Sequence, residues 1–227
     1  MEYFLVGWSN NDMKILEYIV DKYDLNIGRQ PIVEIPNMGR AQLAELFAEL
    51  KFKKGVEIGV EKGIYSEILL KVNPKLQLFS IDPWKASSYE PGIQAVDYRQ
   101  KHYDDYYRET KKRLSGYKSK IIRKKSLTAV KDFKDNSLDF VYIDGNHDFI
   151  NVTNDIYYWS QKIRIGGIIS GDDFAYFPAG KQNHVKHVLL AYTKAYGIRP
   201  VFVVGAEAKG QPGVIRDNFR SWFWIKG

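Results

Sequence analysis

The apolar positions of this chain change period along its length. From Asn11 to Tyr23, Met13, Leu16, Ile19, Val20 and Tyr23 recur at helical spacing and predict an amphipathic helix. A loop bracketed by Pro31 and Pro36 is expected next. Leu43, Leu46, Phe47 and Leu50 then place a second helix from Arg40 to Leu50. From residue 55 onward, short apolar runs alternate with amphipathic stretches. Strands are predicted over 55–59, 76–81, 119–123, 138–143, 167–171 and 200–204. Helices are predicted over 64–72, 94–114, 127–133, 149–162 and 181–196. The aromatic run Ser221 to Ile225 is read as a last strand. This alternation implies an α/β protein with a doubly wound, mostly parallel sheet and helices on both faces. The segment 205–218 is Gly-rich and shows no helical pattern, which allows the last two strands to be antiparallel neighbours.

Length and composition narrow the class. At 227 residues the chain suits one structural domain with a sizeable core. Within it, residues 1–54 are expected to form an N-terminal helical segment packed on a binding domain of residues 55–227. Hydrophobic residues make up 44% and charged residues 27%, and no apolar run is long enough to span a bilayer. The opening MEYFLVGWSN has no basic region or cleavage pattern, so no signal peptide is read and cytoplasm is the default compartment. Cysteine is absent, which excludes disulfides, thiolate zinc sites and cysteine nucleophiles.

The net charge of +7 is concentrated between Lys111 and Lys125, with eight Lys or Arg and no acid. A nucleic-acid patch is one reading. The preferred one is a helix end rich in cations beside a lysine-guarded sheet edge, so a nucleic-acid partner is not expected. Aromatic residues Tyr3, Phe4 and Trp8 offer a surface for self-association.

The densest chemistry lies in VEIGVEKGIYS, residues 56–66, and FSIDPW, residues 79–84. The first reads as strand, glycine turn and helix. The second ends a strand in Asp82, nineteen residues after Gly63. A helix amino end beside a glycine turn, with an acid at the next strand tip, suits an adenosine-bearing cofactor whose ribose hydroxyls the acid accepts. The spacing Glu57-x-Gly59-x-x-x-Gly63 departs from the GxGxxG of pyrophosphate sites. Glu61 inside the turn would repel a pyrophosphate but not a cationic ligand, which points to S-adenosylmethionine. An ordinary α/β turn with two glycines is the alternative.

Ligands of such sheets sit at the carboxyl ends of the strands. Glu57, Asp82, Asp144, Asp172 and Asp173 put five acids on that rim, with Ser126 and His147 among them. Asp144, Asp172 and Asp173 form a candidate site for a hard cation such as Mg²⁺, since neighbouring strand tips lie about 5 Å apart. The alternative is helix capping, which is the expected role of Asp148. His147 is the candidate general base. His184 and His187 are read as surface residues and His102 has no assigned role. Val96, Tyr103, Tyr107 and Leu114 make one helical stripe that either packs on the domain or lines an acceptor pocket.

Taken in order, VEIGVEKG, SIDPW, NSLDFVYIDGNHDF, IRIGGIISGDDF and RDNFRSWFWIK resemble the class I S-adenosylmethionine-dependent methyltransferases. The particular similarity is to the bacterial and phage IDGNH-motif group related to sugar and macrolide O-methyltransferases. The resemblance implies a Rossmann-like, seven-stranded sheet with the last strand antiparallel and inserted beside the fifth. It implies that Glu57, Gly59, Val60, Gly63 and Asp144 hold the methionine part of the cofactor, Asp82 the ribose, and that Pro83, Trp84 and Ser126 lie near the adenine. It implies a metal at Asp144, Asp172 and Asp173; with Asn146 in the relatives' base position, His147 is left as the candidate base, and His147 and Asp144 are the expected catalytic residues. The expected activity is O-methylation of a small hydroxylated, sugar- or phenol-like acceptor. Asn146 stands where sugar-modifying relatives can have an Asp base, which keeps open a non-catalytic cofactor-binding protein. An RNA or protein methyltransferase is the other alternative.

Overall fold

The structure, a computed structural model, describes residues 10–28, 30–86, 100–177, 183–206, 213–215 and 219–227. Two helices and a short strand come first: α1 (Asn10–Tyr23), β1 (Ile32–Ile35) and α2 (Arg40–Glu49). The alternating part runs β2 (Lys54–Ile58), α3 (Ile64–Val72), β3 (Gln77–Ile81), α4 (Gln100–Leu114), β4 (Ser119–Ile122) and α5 (Ser126–Ala129). A single 3₁₀ turn, Val130–Asp132, extends α5. Then come β5 (Leu138–Ile143), α6 (Phe149–Lys162), β6 (Ile163–Gly171), α7 (Val185–Ala195), β7 (Val201–Val204) and β8 (Trp222–Ile225).

All eight strands share one sheet in the order β1-β7-β8-β6-β5-β2-β3-β4. Every pairing is parallel except those of β8, which lies antiparallel between β6 and β7. The α/β, doubly wound expectation holds, and so does the inserted last strand. The sheet has one strand more than the seven the resemblance implied, and that strand is β1. Its residues were expected to be a loop because prolines bracket them. They pair instead with β7, Ile32 opposite Val201 and Ile35 opposite Val204. β1 lies at the sheet edge, where flanking prolines cost no ladder bond, and the carbonyl of Pro31 accepts from Val201 N at 2.9 Å. The inward residues Val33 and Ile35 alternate with exposed Glu34.

Strand alternation builds a core on each face. Along β5, Phe140 and Tyr142 face a cluster with Leu16 and Ile19 of α1, Leu43 and Phe47 of α2 and Leu69 of α3. Val141 and Ile143 face the opposite cluster with Val152, Ile156 and Trp159 of α6 and Val188 of α7. The Phe140 ring stacks on Phe47 with centroids 4.3 Å apart. It fills the space where Gly55 has no side chain: a Cβ there would meet the ring at 2.2 Å.

Tyr107 of the expected α4 stripe packs on Trp84, and Leu114 is buried. Residues 94–99 of that predicted helix, Tyr3, Phe4 and Trp8, and positions 181–182 lie outside the described residues. The basic run closes α4 and flanks β4, the other sheet edge. Arg113 pairs with Glu67 and Glu109, Arg123 with Asp104, and Lys124 with Asp132. Among the described residues, no helix is long and apolar enough to cross a membrane.

The Gly55–Phe140 contact generates a stability test. Gly55→Ala is expected to destabilise the fold by about 1–3 kcal/mol through overpacking. A urea midpoint equal to wild type would mean that the Phe140 stack yields freely.

Candidate active site

The turn between β2 and α3 is built on left-handed backbone at three of its five residues: Gly59 (φ 83°), Glu61 (φ 49°) and Gly63 (φ 75°). Glycine is the residue that adopts this region without strain. Gly59 has a second reason: a Cβ would lie 1.9 Å from the carbonyl oxygen of Asp144. Its N–H donates to Ile81 O at 2.9 Å, while Asp144 N donates to Ile58 O at 2.8 Å. The tips of β3, β2 and β5 therefore meet at Gly59.

Asp82 braces this turn. Its Oδ2 accepts from Val60 N and Glu61 N, both at 3.0 Å, and its Oδ1 accepts from Trp84 N at 2.6 Å. A carboxylate has about four acceptor positions, so one is left on Oδ1. Burial raises the Asp82 pKa above its ordinary value, against the three N–H donors. Trp84, fully buried at φ 40°, donates its indole N–H to Glu61 O at 2.7 Å. Thr110 of α4 donates its hydroxyl to the same carbonyl at 2.9 Å. The carbonyl of Pro83 faces the Arg123 guanidinium, with Nε at 3.4 Å.

Two other expected cofactor residues are committed internally. Glu57 is buried beneath the turn and accepts from the Ser66 hydroxyl, which also bonds Ser80 Oγ at 2.7 Å. Burial pushes the Glu57 carboxyl up to about 8, against the Ser66 hydrogen bond. Ser126 donates to Asp155 Oδ1 and accepts the indole N–H of Trp159 at 2.8 Å. Asp155 is pushed up to about 6, mainly by burial.

At the tips of β5 and β6 the acids divide into two groups. The chain turns at Asp173 (φ 67°), and the side chains of Asp172 and Asp173 take different partners. Asp172 accepts from Ser221 Oγ at 2.9 Å and from Arg40 Nη1 at 3.0 Å. Asp173 Oδ2 lies 2.8 Å from His147 Nε2. Asp144 stands between, with Oδ2 3.3 Å from Arg40 Nη2 and Oδ1 3.6 Å from His147 Nε2. The His147 contacts are ionic and not aligned hydrogen bonds. Burial works against the His147 charge, but Asp144 and Asp173 overcome it and push the imidazole up to about 10. It is therefore a cation at neutral pH. Asp172 is pushed up to about 7 by burial and by Asp144, with Arg40 opposing.

Asp144, His147 and Asp173 offer ligand atoms all within 4.8 Å of one another. The structure thus gathers two of the three acids expected at a metal, adds His147, and gives Asp172 to Arg40. The rest of the IDGNH loop is structural. Asp148 caps α6 by accepting from Asn151 N at 2.8 Å, as expected. Asn146 accepts from Asp148 N at 2.9 Å. His184, read as a surface residue, accepts from Phe149 N at its Nδ1 at 3.0 Å, and its backbone N–H donates to His147 O at 2.8 Å.

Arg40 was missed by sequence reasoning. Its guanidinium lies over the Tyr65 ring at 4.3 Å and near Tyr142 at 5.3 Å. A signal was present: Arg40 opens α2, whose first turn has no acid. A cation at a helix amino end opposes the macrodipole and calls for acids from elsewhere.

A doubly wound sheet whose strand tips carry a glycine turn, a braced acid and an acid–imidazole cluster defines a nucleoside-cofactor enzyme of the methyltransferase type. Residues 56–174 match the family model described as "Methyltransferase domain". The chain belongs to that family and is a class I S-adenosylmethionine-dependent methyltransferase. The O-methyltransferase TomG from Streptomyces achromogenes, involved in tomaymycin synthesis and solved with S-adenosylmethionine, is similar in fold. Its TM-score is 0.55 at 16% identity, over 96% of this chain and 91% of that one. An O-methyltransferase from Bacillus cereus in complex with S-adenosylhomocysteine has a TM-score of 0.55 at 12% identity, over 98% and 93% of the two chains. No curated protein sequence matches the chain.

The perturbed groups set a pH dependence of stability. His147, Glu57 and Asp172 all hold protons more tightly when folded than when unfolded. Stability from His147 is complete below its unfolded value near 6.5 and is lost as pH climbs through about 10. Glu57 and Asp172 act in the same sense at lower pH, up to about 8 and about 7. Tm is expected to fall steadily from about pH 5 to about pH 10. In His147→Gln the decline above pH 8 should flatten. A wild-type Tm that rises over this range would contradict the assignment.

Proposed function

We propose that the protein transfers a methyl group from S-adenosylmethionine to a hydroxyl oxygen of a small acceptor, of sugar or phenol type. The observation that carries this reading is the Asp82-braced turn meeting the Asp144–His147–Asp173 cluster across Gly59. The bound S-adenosylmethionine and S-adenosylhomocysteine of the two O-methyltransferases named above support it.

Gly59, Val60 and Gly63 would hold the methionine end beside Asp144, with Glu57 supporting the turn from below. The free acceptor position on Asp82 Oδ1 would take a ribose hydroxyl. Pro83, Trp84 and Ser126 would border the adenine, Trp84 and Ser126 by shaping the wall and not by free polar atoms. When bound, S-adenosylmethionine would supply a sulfonium methyl that passes to the acceptor oxygen in line with the departing S-adenosylhomocysteine thioether, and near-attack positioning would provide much of the rate.

His147 would take the acceptor's proton, and Asp144 and Asp173, which face its Nε2, would stabilise the imidazolium that results. Because those acids already favour the cation, the reactive neutral imidazole is the minor form at neutral pH. The same donors fit a divalent cation, which would supply Lewis-acid activation of a hydroxyl. Such a cation must displace the His147 proton, so its binding should strengthen as pH rises. The Arg40–Asp172 pair leaves two carboxylates for it instead of three. In this reading the proton, not a metal, fills the cluster at neutral pH.

Four outcomes test the proposal. With labelled cofactor and a panel of polyols and phenols, kcat/KM should rise with pH toward about 10. His147→Gln should slow turnover by roughly 10²–10⁴-fold, the usual share of a general base, with cofactor affinity little changed. Turnover at pH 7 should survive exhaustive chelation. Activity abolished by EDTA and restored by Mg²⁺ would make His147 a ligand and remove it as the base. Asp82→Ala should weaken S-adenosylhomocysteine binding by about 1.5–3 kcal/mol, as for a hydrogen bond to a charged group, and should lower Tm as well. Equal calorimetric affinity in that variant would remove Asp82 from the cofactor site.

A further inference from the structure

We propose that Arg40 clamps the α-carboxylate of the cofactor's amino-acid end, beside Asp144, which the resemblance already gives to that end. This rests on the S-adenosylmethionine reading above and names the residues that recognise one end of that ligand.

Arg40 and Asp144 both have unused hydrogen-bonding capacity. A guanidinium carries five N–H donors in a fixed plane, and an ionised carboxylate accepts about four hydrogen bonds. Among the described residues the Arg40 guanidinium makes one good bond, Nη1 to Asp172 at 3.0 Å. Its Nη2 approaches Asp144 only to 3.3 Å, and its Nε is buried with no hydrogen-bond partner among the described residues. Asp144 is also under-satisfied: its nearest cations stand at 3.3 Å and 3.6 Å, beyond good hydrogen-bond length. Both side chains keep access to solvent, at 34% exposed for Arg40 and 21% for Asp144. An acid with open lone pairs and a cation with open N–H groups, side by side, complement an α-amino-acid zwitterion.

The position fits the same ligand. Arg40 lies over Tyr65, in the first turn of α3 directly after the glycine turn. Asp144 adjoins that turn through its carbonyl, packed against Gly59. Tyr65 O–H donates to Arg40 O at 3.2 Å, which ties α2 to α3. The approach of α2 is further set by Gly39, where a Cβ would meet Ile215 at 2.9 Å. Asp172 holds the guanidinium at Nη1 and neutralises part of its charge, so the cation is oriented before ligand arrives. A purely structural Arg40, present only to balance Asp172, would leave cofactor affinity indifferent to the ligand's carboxylate.

Calorimetry with four ligands separates these cases. S-adenosylhomocysteine has the full amino-acid end, and 5′-methylthioadenosine keeps adenine, ribose and sulfur but lacks it. Decarboxylated S-adenosylmethionine, compared with S-adenosylmethionine, lacks the carboxylate alone. Wild type should bind the decarboxylated compound about 10- to 100-fold more weakly than S-adenosylmethionine, the range for a charge-assisted bond. Arg40→Gln should lose a similar factor for S-adenosylhomocysteine and keep its 5′-methylthioadenosine affinity within about twofold, and Arg40→Lys should recover part of the loss. Equal wild-type affinity for the carboxylated and decarboxylated pair overturns the clamp whether or not the variants fold. So does an Arg40→Gln loss shared equally by all ligands. Failure of wild type to bind any of them sinks the cofactor reading itself, a result distinct from failure of the clamp.

Discussion

The contact on which the site depends is the approach of the Asp144 backbone to Gly59. Any side chain at residue 59 would occupy the Asp144 carbonyl, and the left-handed backbone there is one that L side chains rarely adopt. Two backbone hydrogen bonds join the same point, Gly59 N to Ile81 O and Asp144 N to Ile58 O. Three strand tips converge, and each delivers a different chemical group. The tip of β2 delivers the turn, β3 delivers Asp82, and β5 delivers Asp144 and His147. Parallel pairing of β2 with both β3 and β5 sets the height at which these groups arrive.

Around that point the protein balances a crowded set of acids with its own cations. Arg40 comes from a helix before the alternating part of the chain and lies between Asp144 and Asp172. His147 comes from the β5 loop and stands against Asp144 and Asp173. Asp144 thus faces a permanent cation on one side and a titratable one on the other. Low local dielectric makes each of these interactions stronger than it would be in water. Glu57, with no cation bonded to it, is raised toward its neutral form by burial. The rim is consequently less negative than five acids would suggest.

The turn also depends on apolar packing behind it. Trp84 is fully enclosed, and its indole N–H and backbone N–H serve Glu61 O and Asp82 respectively. Tyr107 of α4 lies against the Trp84 ring, with centroids 4.9 Å apart. Thr110 and Arg113, farther along the same helix, bond the carbonyls of Glu61 and Lys62. Arg113 of the basic run thereby supports the glycine turn. The positive φ of Trp84, uncommon for a bulky residue, is held by these contacts.

Much of this organisation is determined by the sequence alone. Period-2 and period-3.6 patterns encode which face of each element is buried, so the α/β alternation and the antiparallel last strand were legible. The glycine spacing with Asp82, and the Asp148 cap, were legible because their chemistry is local. Tertiary structure decided the rest. The strand nature of IVEI depended on a free edge beside β7, because its prolines are tolerated only at such an edge. The separation of Asp172 from Asp173 depended on a backbone turn that no pattern marks. Arg40 meets Asp172 across 132 residues of chain, and Ser126 meets Asp155 and Trp159 across 29 and 33. Hydrophobic periodicity records burial residue by residue. The partner of a buried charge is set by which strand tips and helix ends the topology brings together, and that information is not local.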